Sequence, residues 1–198
     1  MQRHTIQFSV AGLLALATIV IFPMAAGGRQ LEPETPGRVS YAIESTADGS
    51  LVVSEIIDIN APIDKVWAAY TTSGGYESWA APHARIDLRP GGQILASYDV
   101  EKGFDSENTV SLTIVNFVPE RVLTLQADIG KNWPEILRRD AVNLYNVILF
   151  EELGEAQTRI TSYALGYRDS EELRGMMQFF EEQNRMLYGR LIAYLEAG

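Results

Sequence analysis

Cysteine is absent from the chain, which excludes a disulfide framework, thiol nucleophiles, a lipidated N-terminal cysteine and thiolate metal sites. Its absence fits any redox compartment. Histidine is scarce: His4 and His83 are the two present, so a zinc or copper centre would have to be built mainly from carboxylates. The acids on offer, Glu151, Glu152, Glu171, Glu172, Glu181 and Glu182, stand in adjacent pairs whose side chains diverge on a strand or helix. No metal and no cofactor are therefore expected. Basic residues are also few, 16 against 26 acids for a net charge of −10. With no basic cluster beyond the pair Arg138 and Arg139, the chain is a poor candidate for anionic lipid surfaces and no nucleic-acid partner is expected. No serine sits in a nucleophile elbow, and Gly91-Gly92 opens no helix, so neither triad chemistry nor a phosphate loop is supported.

One long apolar run is present, from Phe8 to Phe22. With Arg3 before it and Ala25, Ala26 and Gly27 after it, residues 1–26 read as a secretory signal peptide, too short for a comfortable membrane span. Cleavage after Ala26 would give an exported, periplasmic or extracellular protein with no stable membrane span; an uncleaved anchor is the alternative. Residues 27–37, rich in Gly, Pro and Glu, form a tether. Residues 38–198 are expected to form one domain, since 198 residues with 46% hydrophobic content support a single substantial core.

The domain is organised around its last stretch. Over residues 169–197, Leu173, Met177, Phe180, Asn184, Leu187, Leu191 and Leu195 fall along one line at 100° per residue, with Met176 and Tyr194 beside it. That spacing predicts a helix of roughly 40 Å, with Asp169 as its cap and Glu172 returning the bond. A shorter helix begins at Pro62, with Ile63, Val66, Trp67 and Tyr70 on its buried face and Asn60 or Ala61 as cap. Elsewhere the period is two. Strands are expected over residues 38–45, 51–59, 84–89, 93–100, 109–117, 122–127, 142–152 and 158–167, with a type II turn at Arg89-Pro90-Gly91-Gly92. Residues 129–140, containing Trp133, read as an inserted, lid-like loop. Runs of antiparallel strands with helices kept apart imply an α+β domain.

Several local motifs carry a family likeness: Ile59-Asn60-Ala61-Pro62 leading into Val66-Trp67, then Tyr76-Glu77-Ser78-Trp79, Ile86-Asp87-Leu88-Arg89-Pro90-Gly91-Gly92, and Val118-Pro119-Glu120-Arg121-Val122-Leu123. With the end of the long helix they make residues 53–196 resemble the START-like (SRPBCC) superfamily, in particular the branch related to the activator of the Hsp90 ATPase. The resemblance implies a helix-grip fold, a curved antiparallel sheet of about seven strands wrapped around the C-terminal helix, and an apolar pocket between the two.

Trp79, Tyr98, Tyr145, Tyr163, Phe180 and Asn184 are the expected pocket wall, with Trp133 on the lid. Asn184 either orients a ligand hydroxyl or carbonyl, or bonds to sheet backbone or a buried water. The aromatics either line the pocket or form plain core. Two function classes are open. One is a carrier or sensor for a small apolar or amphipathic molecule; the other is a cyclase- or dehydratase-like enzyme in which His83 or Asp99 moves protons. An interaction module is a third. A titratable group inside the cavity separates the first two. Oligomeric state is not readable from the residues.

Overall fold

Strands of alternating apolar residues and one helix with an apolar stripe meet face to face. The computed structural model describes residues 38–107, 109–130 and 133–197; the leader and tether expected over residues 1–37 lie outside the described residues. In order, the elements are β1 (Val39–Ser45), β2 (Ser50–Ile59), α1 (Ile63–Thr71), α2 (Ser73–Glu77), β3 (His83–Ile86), β4 (Gln93–Ser97), β5 (Val110–Val118), β6 (Val122–Ala127), α3 (Glu135–Arg138), β7 (Tyr145–Gly154), β8 (Gln157–Arg168) and α4 (Glu171–Glu196). The strands form one antiparallel sheet in the order β1-β2-β8-β7-β6-β5-β4-β3. Bulges in β8, β5 and β7 bend it. The α+β helix-grip architecture expected from the sequence is the one adopted.

The α4 stripe is buried as its spacing requires: Leu173, Met177, Phe180, Asn184, Leu187, Leu191 and Leu195 all face inward. Tyr194, expected beside them, is exposed. The helix start is corrected by one residue. Ser170 is the cap, its Oγ accepting from the Leu173 amide at 3.2 Å, because the side chain three residues before that free amide reaches it. Asp169 instead takes both Nε and Nη2 of Arg174 at 2.6 Å and the Ser45 hydroxyl at 2.8 Å, which ties the helix start to β1. At α1 neither Asn60 nor Ala61 caps; Pro62 holds that place without a side-chain bond. The Asn60 amide donates to Glu196 at 2.8 Å, and Arg38 also pairs with Glu196, so the far end of α4 is fastened to β1 and to the α1 approach.

The type II turn is present. Gly91 has φ of 76° and the Gly92 amide donates to the Arg89 carbonyl at 2.8 Å, the geometry for which Pro and Gly at the two central positions are suited. The strand after it stops at Ser97, earlier than the alternation suggested. Asp99 accepts from the amides of Glu101 at 3.1 Å and Lys102 at 2.9 Å and so turns the chain away from the sheet.

Candidate functional site in the helix grip

Strand β2 sends Leu51, Val53, Glu55, Ile57 and Ile59 to its buried face. Four of the five are apolar, and the middle one is an acid. Glu55 is 4% exposed and lies under α4, where Asn184 Nδ2 donates to Oε1 at 2.6 Å and the Tyr188 hydroxyl donates to Oε2 at 2.7 Å. Asn184 and Tyr188 are four residues apart and therefore share a helix face. Burial pushes the Glu55 carboxyl up to about 7 in spite of both hydrogen bonds. Burial likewise raises the hydroxyls of Tyr70 and Tyr188, with the Glu55 charge adding to the effect. Two polar atoms are buried without a partner among the described residues, Asn184 Oδ1 and the Tyr98 hydroxyl.

Asn184 thus bonds to a sheet side chain. That bond takes its amide nitrogen, and its carbonyl oxygen has no partner among the described residues. Its replacement by Leu would remove one donor from Glu55 and leave Oε1 unpaired. We expect Asn184→Leu to cost about 1–3 kcal/mol at pH 8 and less at pH 5, where the carboxyl is protonated; urea denaturation at the two pH values measures this.

The other sequence-predicted residues are scattered. Trp79 and Tyr98 come together with Arg190 at a cleft of about 150 Å³. The Trp79 ring is held in place by Nε1 donating to the Ala69 carbonyl at 3.0 Å and by Tyr70 and Tyr76, with centroids 5.0 and 5.5 Å away. Phe180 is buried on α4 one turn before Asn184. Tyr145 and Tyr163 are on the opposite face of the sheet, because their neighbours Asn146, Ser162 and Ala164 take the inward positions; they cannot line a space under α4. His83 begins β3, with Nε2 3.3 Å from the Val100 carbonyl and Phe104 as ring neighbour. The Asp99 carboxyl is exposed, committed to its turn and held below the usual carboxylate range chiefly by the Lys102 amide. No cluster of potential metal ligands occurs among the described residues.

A larger hollow opens at the other end of the helix. Residues 133–144 fold as α3 and a short 3-10 turn, Ala141–Asn143, and stand over a recess of about 310 Å³. Ile136, Leu137, Leu144, Tyr167 and Leu173 give it an apolar lining, and Arg139, Asp140, Arg168, Asp169 and Ser170 a polar one. Trp133, the expected lid residue, packs partly buried against the core and does not line it. Its carbonyl accepts from Arg138 Nε at 3.0 Å. Asp140, nearly buried, accepts from Arg168 Nε at 2.9 Å, joining the roof to β8.

The sequence model of the activator of Hsp90 ATPase homolog 1-like family matches residues 60–196, from the approach to α1 to the last turn of α4. The chain belongs to that family. Solved structures of similar fold include the Aha1 dimer from Colwellia psychrerythraea (14% identity, 73% of this chain and 96% of that one, TM-score 0.57). CalU16 from Micromonospora echinospora is another (19% identity, 82% and 77% of the chains, TM-score 0.54), as is a protein of Nitrosomonas europaea (20% identity, 77% and 94%, TM-score 0.53). No curated protein sequence matches the chain. At these identities the likeness speaks for the fold alone. The activator-like fold is compatible with a binding or cyclase-like module, and no helix among the described residues is long and apolar enough to cross a membrane.

Two residues of the buried cluster escaped the reading of the sequence, and each left a trace. Glu55 is in phase with Leu51, Val53, Ile57 and Ile59, and Tyr188 comes one turn after Asn184.

Proposed function

We propose that this activator-like domain is an exported binding protein for a small apolar or amphipathic molecule, seated in the recess beneath α3. One observation carries the reading: a hollow of about 310 Å³ with apolar side chains on one side and charged ones on the other, at the lower end of the size of small-molecule sites and with their mixture of linings. The seat is at the N-terminal end of α4. The middle of the helix, where the sequence suggested a pocket, is occupied by the Glu55, Asn184 and Tyr188 side chains.

Native mass spectrometry of protein purified from its own cell should show a retained small molecule, and Ile136→Trp, which fills the recess, should lose it while keeping the fold. An empty wild-type protein whose thermal midpoint is unmoved by apolar and amphipathic compounds would end this reading. N-terminal sequencing of the same sample tests export, with a mature chain beginning near Gly27 expected.

A cyclase- or dehydratase-like enzyme is the second reading, and it has one observation in its favour. Glu55 titrates at about 7, where a general acid or base is most effective at neutral pH. Loss of turnover with unchanged ligand affinity in Glu55→Gln would select it.

A further inference from the structure

The two edges of the sheet are finished differently. At β3 the outward amides of Ala84 and Ile86 donate to Glu77 Oε1 at 2.8 Å and to Ser73 Oγ at 3.1 Å, so side chains of α2 close that edge. Edge strands are otherwise blunted by proline, lysine, a bulge or shortness. β1 uses none of these: it runs for seven residues, keeps one unbroken register with β2 and carries Glu44 as its single charge. At its two ends the Asp58 amide donates to the Arg38 carbonyl at 3.3 Å and the Thr46 amide to the Ser50 carbonyl at 2.8 Å. The even-numbered backbone groups therefore face β2, and those of Val39, Tyr41, Ile43 and Ser45 face away from it. The Val39 carbonyl accepts from Arg185 Nη1 at 3.3 Å. The outward N–H and C=O of Tyr41 and Ile43 meet no partner among the described residues.

We propose that β1 is the interface of a homodimer, pairing antiparallel with β1 of a second copy about a two-fold axis at Ala42, so that one sheet runs through both copies. The strand is complementary to itself in this register. Tyr41 exchanges both backbone bonds with the partner's Ile43. The side chains of Tyr41 and Ile43 both turn towards the core, so across the axis they meet as an aromatic and β-branched pair, a favourable cross-strand combination. Glu44 stands opposite the partner's Ser40, so no like charges are opposed even though the chain carries a net charge of −10. An axis at Glu44 would set two carboxylates against each other. Val39, whose carbonyl is already engaged, falls at the end of the pairing. A peptide of unrelated sequence could take the same backbone bonds, but the side-chain match is to this chain's own strand, and a two-fold pairing closes the edge to further addition. The inference does not depend on the recess beneath α3.

The test is sedimentation equilibrium of the protein as purified from its own cell, from about 1 to 100 µM. A monomer–dimer equilibrium in the micromolar range is expected, the strength of a narrow interface. Ala42 is exposed, so its replacement leaves the monomer intact. Ala42→Lys and Ala42→Glu should each raise the dissociation constant about fivefold by opposing like charges at the axis, and an equimolar mixture of the two should dimerise at least as well as the wild type. In hydrogen exchange the Tyr41 and Ile43 amides should be slow at the highest concentration and fast on dilution, with Ala84 and Ile86 unaffected. A wild type that stays monomeric throughout, dimers that Ala42→Lys leaves equally strong, or exchange at Tyr41 and Ile43 that ignores dilution would each overturn the proposal.

Discussion

Glu55→Gln is expected to make the protein more stable than the wild type at pH 8 and to leave the two nearly equal at pH 4. The folded carboxyl titrates at about 7 against an ordinary value of 4.5, raised mainly by burial. Below 4.5 the group is protonated in both folded and unfolded chains and contributes no difference. As pH rises towards 7 the unfolded chain gives up its proton first, so the folded state binds more protons and stability falls across this window. Above it the folded protein carries a buried charge, and the accumulated loss is on the order of 3 kcal/mol for a shift of this size. Gln keeps the shape, and its amide oxygen can still accept from Asn184. Asp58, Asp169 and Glu196 shift the other way, lowered chiefly by Arg159, Arg174 and Arg38. Their contributions are lost on acidification and are shared by both proteins, so they vanish from the difference between the two curves. Urea denaturation from pH 4 to pH 8.5 gives that difference directly. A variant less stable than the wild type at pH 8 would mean that the ionised carboxylate, with its two donors, holds α4 to β2 better than a neutral amide does.

What could be read from the residues alone depended on whether a feature is periodic. The α4 stripe repeats over seven positions and all seven are buried; the Arg89–Gly92 turn is set by Pro and Gly acting on their own dihedrals. Both are local. The Glu55 cluster is local in its period but not in its meaning, because a β-branched run from Leu51 to Ile59 reads as a strand whatever the fifth residue is. Only the phase of the alternation marks Glu55 as inward. Phase also separates Tyr145 and Tyr163 from the grip, and their aromatic character by itself was misleading. The recess beneath α3 had no signature at all. Its walls come from residues 136–144, the end of β8 and the first turn of α4, so it exists only once three segments without a common repeat are brought together.

Gly166→Ala should be the most damaging change at this recess. Gly166 lies in β8 with φ of +88°, and a Cβ there would sit 1.7 Å from the Asn143 carbonyl oxygen and 2.4 Å from its carbon. Those are backbone atoms of the 3-10 turn that closes the roof, so relief requires the roof to move. Left-handed strain alone costs about 1–3 kcal/mol, and displacing the turn adds to it, for a total of about 3 kcal/mol or more. Gly49→Ala is the control. Its φ is +80° but nothing lies within 4 Å of the added carbon, so it carries strain without collision and should cost only about 1 kcal/mol. The gap between the two variants in denaturant titrations measures how firmly Asn143 presses on β8. Because Asp140 and Leu144 flank that contact, Gly166→Ala should also weaken guest binding, whereas Gly49→Ala should not. Equal losses of stability in the two variants, with binding intact in both, would show that the roof is not seated on the strand and that the recess owes its shape to something else.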